Sequence, residues 1–376
     1  MDGLYVLLPL WAAAFVLSHA QVGALSMAMA GALALAQIPA GFLAEHRGER
    51  IVLAAGIVLA GLGYVLLSWA AGFVSLAGIL VIAGIGCGAQ HPLASSIISR
   101  AFAGGNRRAA LGTYNFTGDL GKVVAPAAIA AIAAVFGWRY GTAAYGFIGI
   151  GAGGVVFALL LWLRSGSRPQ DRAAVGEGGP TPGWGIMDRR GFAVLSAIGM
   201  IDSGARFGLL TFLPFLLLEK GAAVETLGFA LGLVFAGGAA GKLVCGHVAD
   251  RVGIVRTVVL TEIATALLIA AVIIEPLTVS LILLPLLGIA LNGTSSVLYG
   301  TVGDFVSEDR HARAYGLFYT LGIGAGALSP VAFGVVSDGW GVATALSVLA
   351  ACVLVILPLC GVLRQSLAAG ARSQQE

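Results

Sequence analysis

GFLAEHRGER, residues 41–50, comes back one half-length later as GHVADRVGIVR, residues 246–256. Both stretches have the form Gly-x-x-Ala-acid, followed by Gly and Arg. Each reads as a tight turn between two long apolar runs. Gly41 and Gly246 allow close helix packing. Glu45 and Asp250 complement helix N-termini or neighbouring arginines, with Arg47 and Arg251 in the same turns. Gly48 and Gly253 let the chain reverse.

The recurrence extends outward from these turns. A shift of 205 positions carries Gly3 and Leu4 onto Gly208 and Leu209, Leu8 and Pro9 onto Leu213 and Pro214, and Gly23 onto Gly228. Further on, a shift of 204 pairs Gly84 and Ile85 with Gly288 and Ile289, Gly118 with Gly322, Pro126 with Pro330 and Gly137 with Gly341. Single Gly matches are cheap in a Gly-rich chain, but a register kept over whole helices, prolines included, marks an internal repeat.

Composition says what kind of repeat it is. Of 376 residues 59% are hydrophobic and 10% charged, against about 25% charged in a soluble domain. The mean hydropathy is +0.96. In lipid every backbone polar group must find a partner within the spanning structure, and the apolar runs are continuous rather than alternating, so they are helices. A span takes roughly 20 apolar residues. Cys87, Cys245, Cys352 and Cys360 lie inside these runs and read as buried small residues, with neither disulfide nor metal-ligand spacing.

Breaks in the runs predict twelve helices, near 3–18, 21–44, 51–71, 73–100, 109–135, 138–164, 191–219, 222–249, 255–274, 276–302, 312–337 and 340–364. The fold class is therefore an all-α membrane protein of two pseudo-symmetric six-helix bundles. The expected domains are 1–164, a Gly- and Pro-rich hydrophilic linker at 165–190, and 191–376. With the linker in the cytoplasm, sixteen arginines fall in cytoplasmic segments and only Arg139 and Lys220 on the opposite side. The positive-inside rule then orients a multi-pass protein of a bacterial-type plasma (inner) membrane, linker and C-terminus cytoplasmic. The repeat places Asp2 opposite Phe207, midway along the seventh helix. Helix 1 is thus expected to be truncated at its N-terminus, about 24 Å long against a ~30 Å hydrocarbon core.

Two such turns within a whole-chain repeat resemble the loop signature of the major facilitator superfamily. The resemblance implies a central cavity lined by helices 1, 2, 4, 5, 7, 8, 10 and 11, and alternating access. It makes Gly41, Glu45, Arg47, Gly48, Gly246, Asp250, Arg251 and Gly253 gating residues rather than substrate ligands. The chain departs from proton-coupled members at Leu80, where an arginine often stands, and lacks a Gly-Pro pair in helix 5. GAQHPLASS (88–96) and GDLGKVVAP (118–126) look more like the fosmidomycin-resistance drug antiporters.

An ionised group at mid-bilayer costs about 2.5–3.5 kcal/mol on insertion scales, so it reads as functional by default. Helix 5 carries Asn115, Asp119 and Lys122 on one face, and helix 7 carries Asp202 and Arg206 one turn apart. Asp119, Lys122 and Lys242 correspond in the other half to Ile323, Gly326 and Gln37, so the scaffold does not need charge there. Intrahelical pairing that only neutralises charge is the plainer reading. Lys242 lies near a helix end, where a cation can snorkel. His91, beside Gln90, is either a proton carrier or a packing histidine bonded to Ser95. Glu262, on a helix expected to be peripheral, fits no cavity role and is assigned to a loop arginine. Asn292, Thr294, Ser295, Tyr299, Tyr315 and Tyr319 offer hydrogen bonds and aromatic walls, or ordinary interhelical bonds.

The sequence thus points to a secondary active transporter for a small organic solute, an anion or drug-like anion, working by proton-coupled efflux. Lys122, Arg206, Asn115, His91, Gln90 and Tyr319 are the substrate candidates. Asp119, Asp202 and His91 are the proton-coupling candidates. Uptake or exchange of a carboxylate metabolite is the alternative, and a non-transporting receptor or scaffold is the alternative of another class. No nucleophile–base spacing, nucleotide loop or metal cluster argues for an enzyme. A monomer with no cofactor and no nucleic-acid partner is expected, working on a small molecule in the lipid bilayer.

Overall fold

Long runs of Ala, Leu, Ile and Val satisfy their backbone in lipid by coiling, and the computed structural model shows this throughout. It describes residues 2–102, 107–166, 186–306 and 311–373. Fourteen α-helices follow in order among them. They are α1 (Leu4–Phe15), α2 (His19–Arg47), α3 (Glu49–Leu67), α4 (Phe73–Gly88), α5 (Gln90–Ala101), α6 (Arg107–Phe136) and α7 (Trp138–Trp162). Then come α8 (Arg189–Glu219), α9 (Val224–Val252), α10 (Ile254–Ile274), α11 (Leu277–Thr301), α12 (His311–Trp340), α13 (Val342–Leu354) and α14 (Ile356–Ser373). Eleven helical segments are long and apolar enough to cross a membrane, and Leu4–Phe15 is a shorter apolar helix. Large apolar side chains such as Ile148, Leu267, Ile282 and Trp162 point outward. Hydrocarbon, not water, is the matching solvent for that surface.

Two of the twelve predicted helices are interrupted. The fourth breaks at Ala89 between α4 and α5, and the last at Val355 between α13 and α14. A proline follows each break at the same distance. A proline has no N–H for the carbonyl four residues back, and its ring crowds that carbonyl. Four residues before Pro92 is Gly88, the last residue of α4; four before Pro358 is Leu354, the last of α13.

The chain divides into two compact units, Met1–Leu17 with Ala24–Pro180, and Ser18–Gly23 with Thr181–Glu376. In the first, α3 packs along α7 and α4, and α6 along α7. In the second, α9 packs along α11, α8 along α12, and α10 along α11 and α13. The second unit also includes the first turn of α2: the Asp338 carboxylate accepts the His19 and Ala20 backbone N–H groups at 2.6 and 2.9 Å, a helix cap supplied from α12.

The sequence repeat is a structural repeat, element by element. A shift of 205 carries α2 onto α9 end to end, and a shift of 204 carries α6 onto α12 end to end. Gly48 and Gly253, which start α3 and α10, take left-handed φ values of +90° and +98°. Contacts repeat as well. A Cβ added at Gly84 would strike the Met29 carbonyl of α2; one at Gly288 would strike the Val234 carbonyl of α9, the residue 205 positions after Met29. Gly41 behaves otherwise, since a Cβ there meets nothing within 4 Å among the described residues. The expectation of close packing at Gly41 is therefore corrected. Its stretch of α2 is open, with Phe42 62% exposed.

Candidate functional site

The polar groups of the apolar helices gather in two places, one in each unit. In the first unit α6 presents Asp119 and Lys122 one turn apart. Lys122 Nζ donates to Asp119 Oδ1 at 2.9 Å, with the lysine side chain 34% exposed and the aspartate side chain 11%. The pair is intrahelical, as the i, i+3 spacing dictates. His91, in the first turn of α5 beside the half-buried Gln90, stands edge-on to Tyr114 of α6, ring centroids 6.5 Å apart. The side chain of Asn115 lies outside the described residues, as do those of Glu45, Asp250 and Tyr315. Arg47 and Arg251 are exposed at the helix ends, and Gly246 lies within α9. Close by the first of these turns, the Arg50 backbone N–H donates to the Gly166 carbonyl at 2.9 Å.

The second unit holds the more enclosed group. Asp202 of α8 is 3% exposed. Its Oδ2 accepts a 2.8 Å hydrogen bond from the Ser295 hydroxyl of α11, and Arg206 Nη2 approaches the same oxygen at 3.5 Å. Arg206 Nη2 also donates to the Ser203 hydroxyl at 3.2 Å. The guanidinium Nε is buried with no hydrogen-bond partner among the described residues. Beside this pair is a small recess lined by Asp202, Ser203, Ser295, Tyr299 and Phe318, with Gly199 and Gly322 leaving room. Tyr299 stacks on Tyr319 of α12 at 4.4 Å between centroids and 16° between planes, and meets Phe318 edge-on at 5.4 Å. Tyr319 is 44% exposed, so the stacked rings run from half-buried to open.

Glu262 is where the structure corrects the sequence reading. It is not a peripheral partner of a loop arginine. It is 2% exposed and shares the interior of the second unit with Asp202 and Arg206. The cause is helical spacing: Val258, Thr261, Glu262, Thr265 and Ile269 form one inward stripe of α10. The hydroxyls of Thr261 and Thr294 along that stripe meet at 2.7 Å. Ser203 was also missed by sequence reasoning, although its i, i+3 spacing to Arg206 was a usable signal. Asn292, an expected polar contributor, only bonds back to the Gly288 carbonyl of its own helix at 3.3 Å. Lys242 is half-buried in α9.

Comparison with known proteins agrees with this architecture. The family profile of the Major Facilitator Superfamily matches residues 1–330 and 195–370. A Probable 4-methylmuconolactone transporter of Cupriavidus pinatubonensis is 23% identical over 354 residues, 90% of this chain and 80% of that protein. A Probable L-galactonate transporter of Escherichia coli is 28% identical over 134 residues, 36% of this chain and 30% of that protein. An uncharacterised protein of Mycobacterium tuberculosis is 29% identical over 262 residues, 68% of this chain and 62% of that one. The alignments with the last two thus span less than two thirds of those proteins. Among solved structures, a bacterial homologue of the human lysosomal transporter Spinster superposes with a TM-score of 0.74 at 18% identity, covering 99% of this chain and 94% of that one. The nucleoside transporter NupG superposes with a TM-score of 0.75 at 15% identity, covering 98% and 95%. A duplicated helical scaffold, the paired turns that join its helices and a profile match from end to end have one common reading: this multi-pass membrane chain belongs to the Major Facilitator Superfamily.

Proposed function

We propose that the chain is a secondary transporter that moves a small organic anion by alternating access, with protons as the coupling ion. Arg206 carries the reading. Its guanidinium is held by Asp202 and Ser203, which line a small recess with Tyr299 and Phe318, and its buried Nε has no hydrogen-bond partner among the described residues. A planar guanidinium with a free N–H suits a carboxylate. The Tyr299–Tyr319 stack suits the apolar or flat body that the carboxylate belongs to. Arg206 and Tyr319 are the proposed substrate contacts of the second unit. Lys122, His91, Gln90 and Asn115 are those of the first. Asp119, Asp202 and His91 are the proposed proton-coupling groups, and the two glycine-bearing turns the gates.

The names of two relatives, a galactonate and a methylmuconolactone transporter, favour a carboxylate metabolite, taken up or exchanged. Efflux of a drug-like anion is the second reading, supported by the helix 4 and helix 5 stretches that resemble the fosmidomycin-resistance branch. A bacterial inner membrane, with linker and C-terminus cytoplasmic, follows from the arginine distribution.

Purified full-length chain in proteoliposomes with an internal pH-sensitive dye tests the proposal. The probes are galactonate, aromatic carboxylates, organic cations and neutral sugars. Carboxylate-dependent proton flux is expected in the native chain. It falls about tenfold or more in Arg206→Gln and in Lys122→Ala, the scale of losing a charge-assisted hydrogen bond. Flux driven by cations or sugars and untouched by either substitution overturns the anion assignment. No solute-dependent flux at all favours the receptor or scaffold reading.

A further inference from the structure

Three helices place polar groups around Glu262, and the charges among them do not balance. Asp202 and Arg206 act on it electrostatically from α8. The Thr294 hydroxyl of α11 is directed at its carboxyl. The buried Cys360 of α14 is close enough to feel its charge. Thr261 and Thr265 flank it on its own stripe. The buried side chains of α13 are all apolar. Two carboxyl groups therefore share one guanidinium, deep in an apolar bundle.

The two acids are not equivalent. Asp202 Oδ2 has both the Ser295 hydroxyl at 2.8 Å and the Arg206 guanidinium at 3.5 Å. Glu262 has one hydroxyl, and its Oε1 is buried with no hydrogen-bond partner among the described residues. An ionised Glu262 would be a second anion beside Asp202, desolvated and without a cation of its own. A buried carboxyl in that position takes up a proton instead.

We propose that Glu262 is a proton-binding site of the second unit, its carboxyl held neutral beside the Asp202–Arg206 ion pair. The proposal deepens the carrier reading and depends on it only for its consequence. An anion bound at Arg206 adds negative charge next to Glu262 and strengthens the hold on the proton. By linkage, the proton at Glu262 strengthens anion binding to the same degree. Proton and anion are then carried together.

Infrared spectroscopy of the purified full chain in detergent tests the site with no solute present. The readout is the C=O stretch of a protonated carboxylic acid at neutral pH. The native-minus-Glu262→Gln difference spectrum is expected to contain that band. The band is expected to shift when the native chain is made with glutamate ¹³C-labelled at its side-chain carboxyl, a measurement that does not require the variant to fold. A difference spectrum showing loss of an ionised carboxylate instead overturns the proposal. So does a buried carboxylic-acid band that ignores the glutamate label, which would put the proton on an aspartate. Because neither measurement involves flux, failure here is separable from failure of the carrier reading.

Discussion

Arg206 and Lys122 each sit one turn from an aspartate, yet losing them has different consequences. Asp202 is 3% exposed, so Arg206→Ala strands its carboxylate in an apolar interior beside Glu262. Breaking a buried ion pair from one side costs about 3–5 kcal/mol. A third of the Lys122 side chain is open, and screening limits the loss in Lys122→Ala to about 1 kcal/mol. Thermal unfolding in detergent, followed with a dye that reacts with Cys87, Cys245 and Cys360 as they become exposed, measures both. Arg206→Ala unfolds well below Lys122→Ala; equal midpoints would mean that the Asp202 environment is no drier than that of Asp119. Asp202→Asn combined with Arg206→Ala should recover part of the loss, since it removes the stranded charge.

At the scale of the helix, spacing and proline govern. The i, i+3 and i, i+4 pairs on α6 and α8 were readable because a helix brings such residues to one face. The breaks at Ala89 and Val355 follow from Pro92 and Pro358, whereas Pro126 and Pro330 lie inside unbroken helices. A proline therefore does not by itself decide between break and accommodation; the neighbouring helices do. The duplicated contact at Gly84 and Gly288 gives a matched pair of tests. Gly84→Ala and Gly288→Ala each push a methyl into a backbone carbonyl of the adjacent helix and should cost about 1–3 kcal/mol, the usual scale of overpacking. Gly41→Ala meets open space inside a helix and should be neutral or stabilising by up to about 1 kcal/mol. Loss of stability at Gly41 comparable to that at Gly288 would contradict the packing described for α2.

For the molecule as a whole, orientation is the first quantity to check. In a cysteine-free chain expressed in a bacterial inner membrane, a single cysteine at Ser165, on the linker side, should react with a membrane-impermeant maleimide only after permeabilisation. One at the exposed Ala71, after α3, should react in intact cells. The reverse pattern would overturn the positive-inside assignment. The repeat acts at this scale too, since the match of α2 with α9 and of α6 with α12 shows one six-helix plan used twice. The charges break that symmetry. Asp119 and Lys122 have Ile323 and Gly326 as counterparts, so the duplicated scaffold does not require this pair, which is consistent with the role proposed for it.

That the chain is helical and membrane-spanning, and that its plan is duplicated, is legible in the order of its residues. Those properties depend on composition, on run length and on a register of glycines and prolines, all of which are local or periodic. The same order shows which charges share a helix face, because helix geometry converts spacing into direction. Which face of α10 turns inward is set by packing against its neighbours. With apolar residues all round a membrane helix, periodicity carries little directional signal. Glu262 was therefore read as peripheral until packing placed it beside Asp202 and Arg206. The tertiary structure likewise decided that Gly288 is a contact and Gly41 is not, since a glycine records room for an approach without naming what approaches.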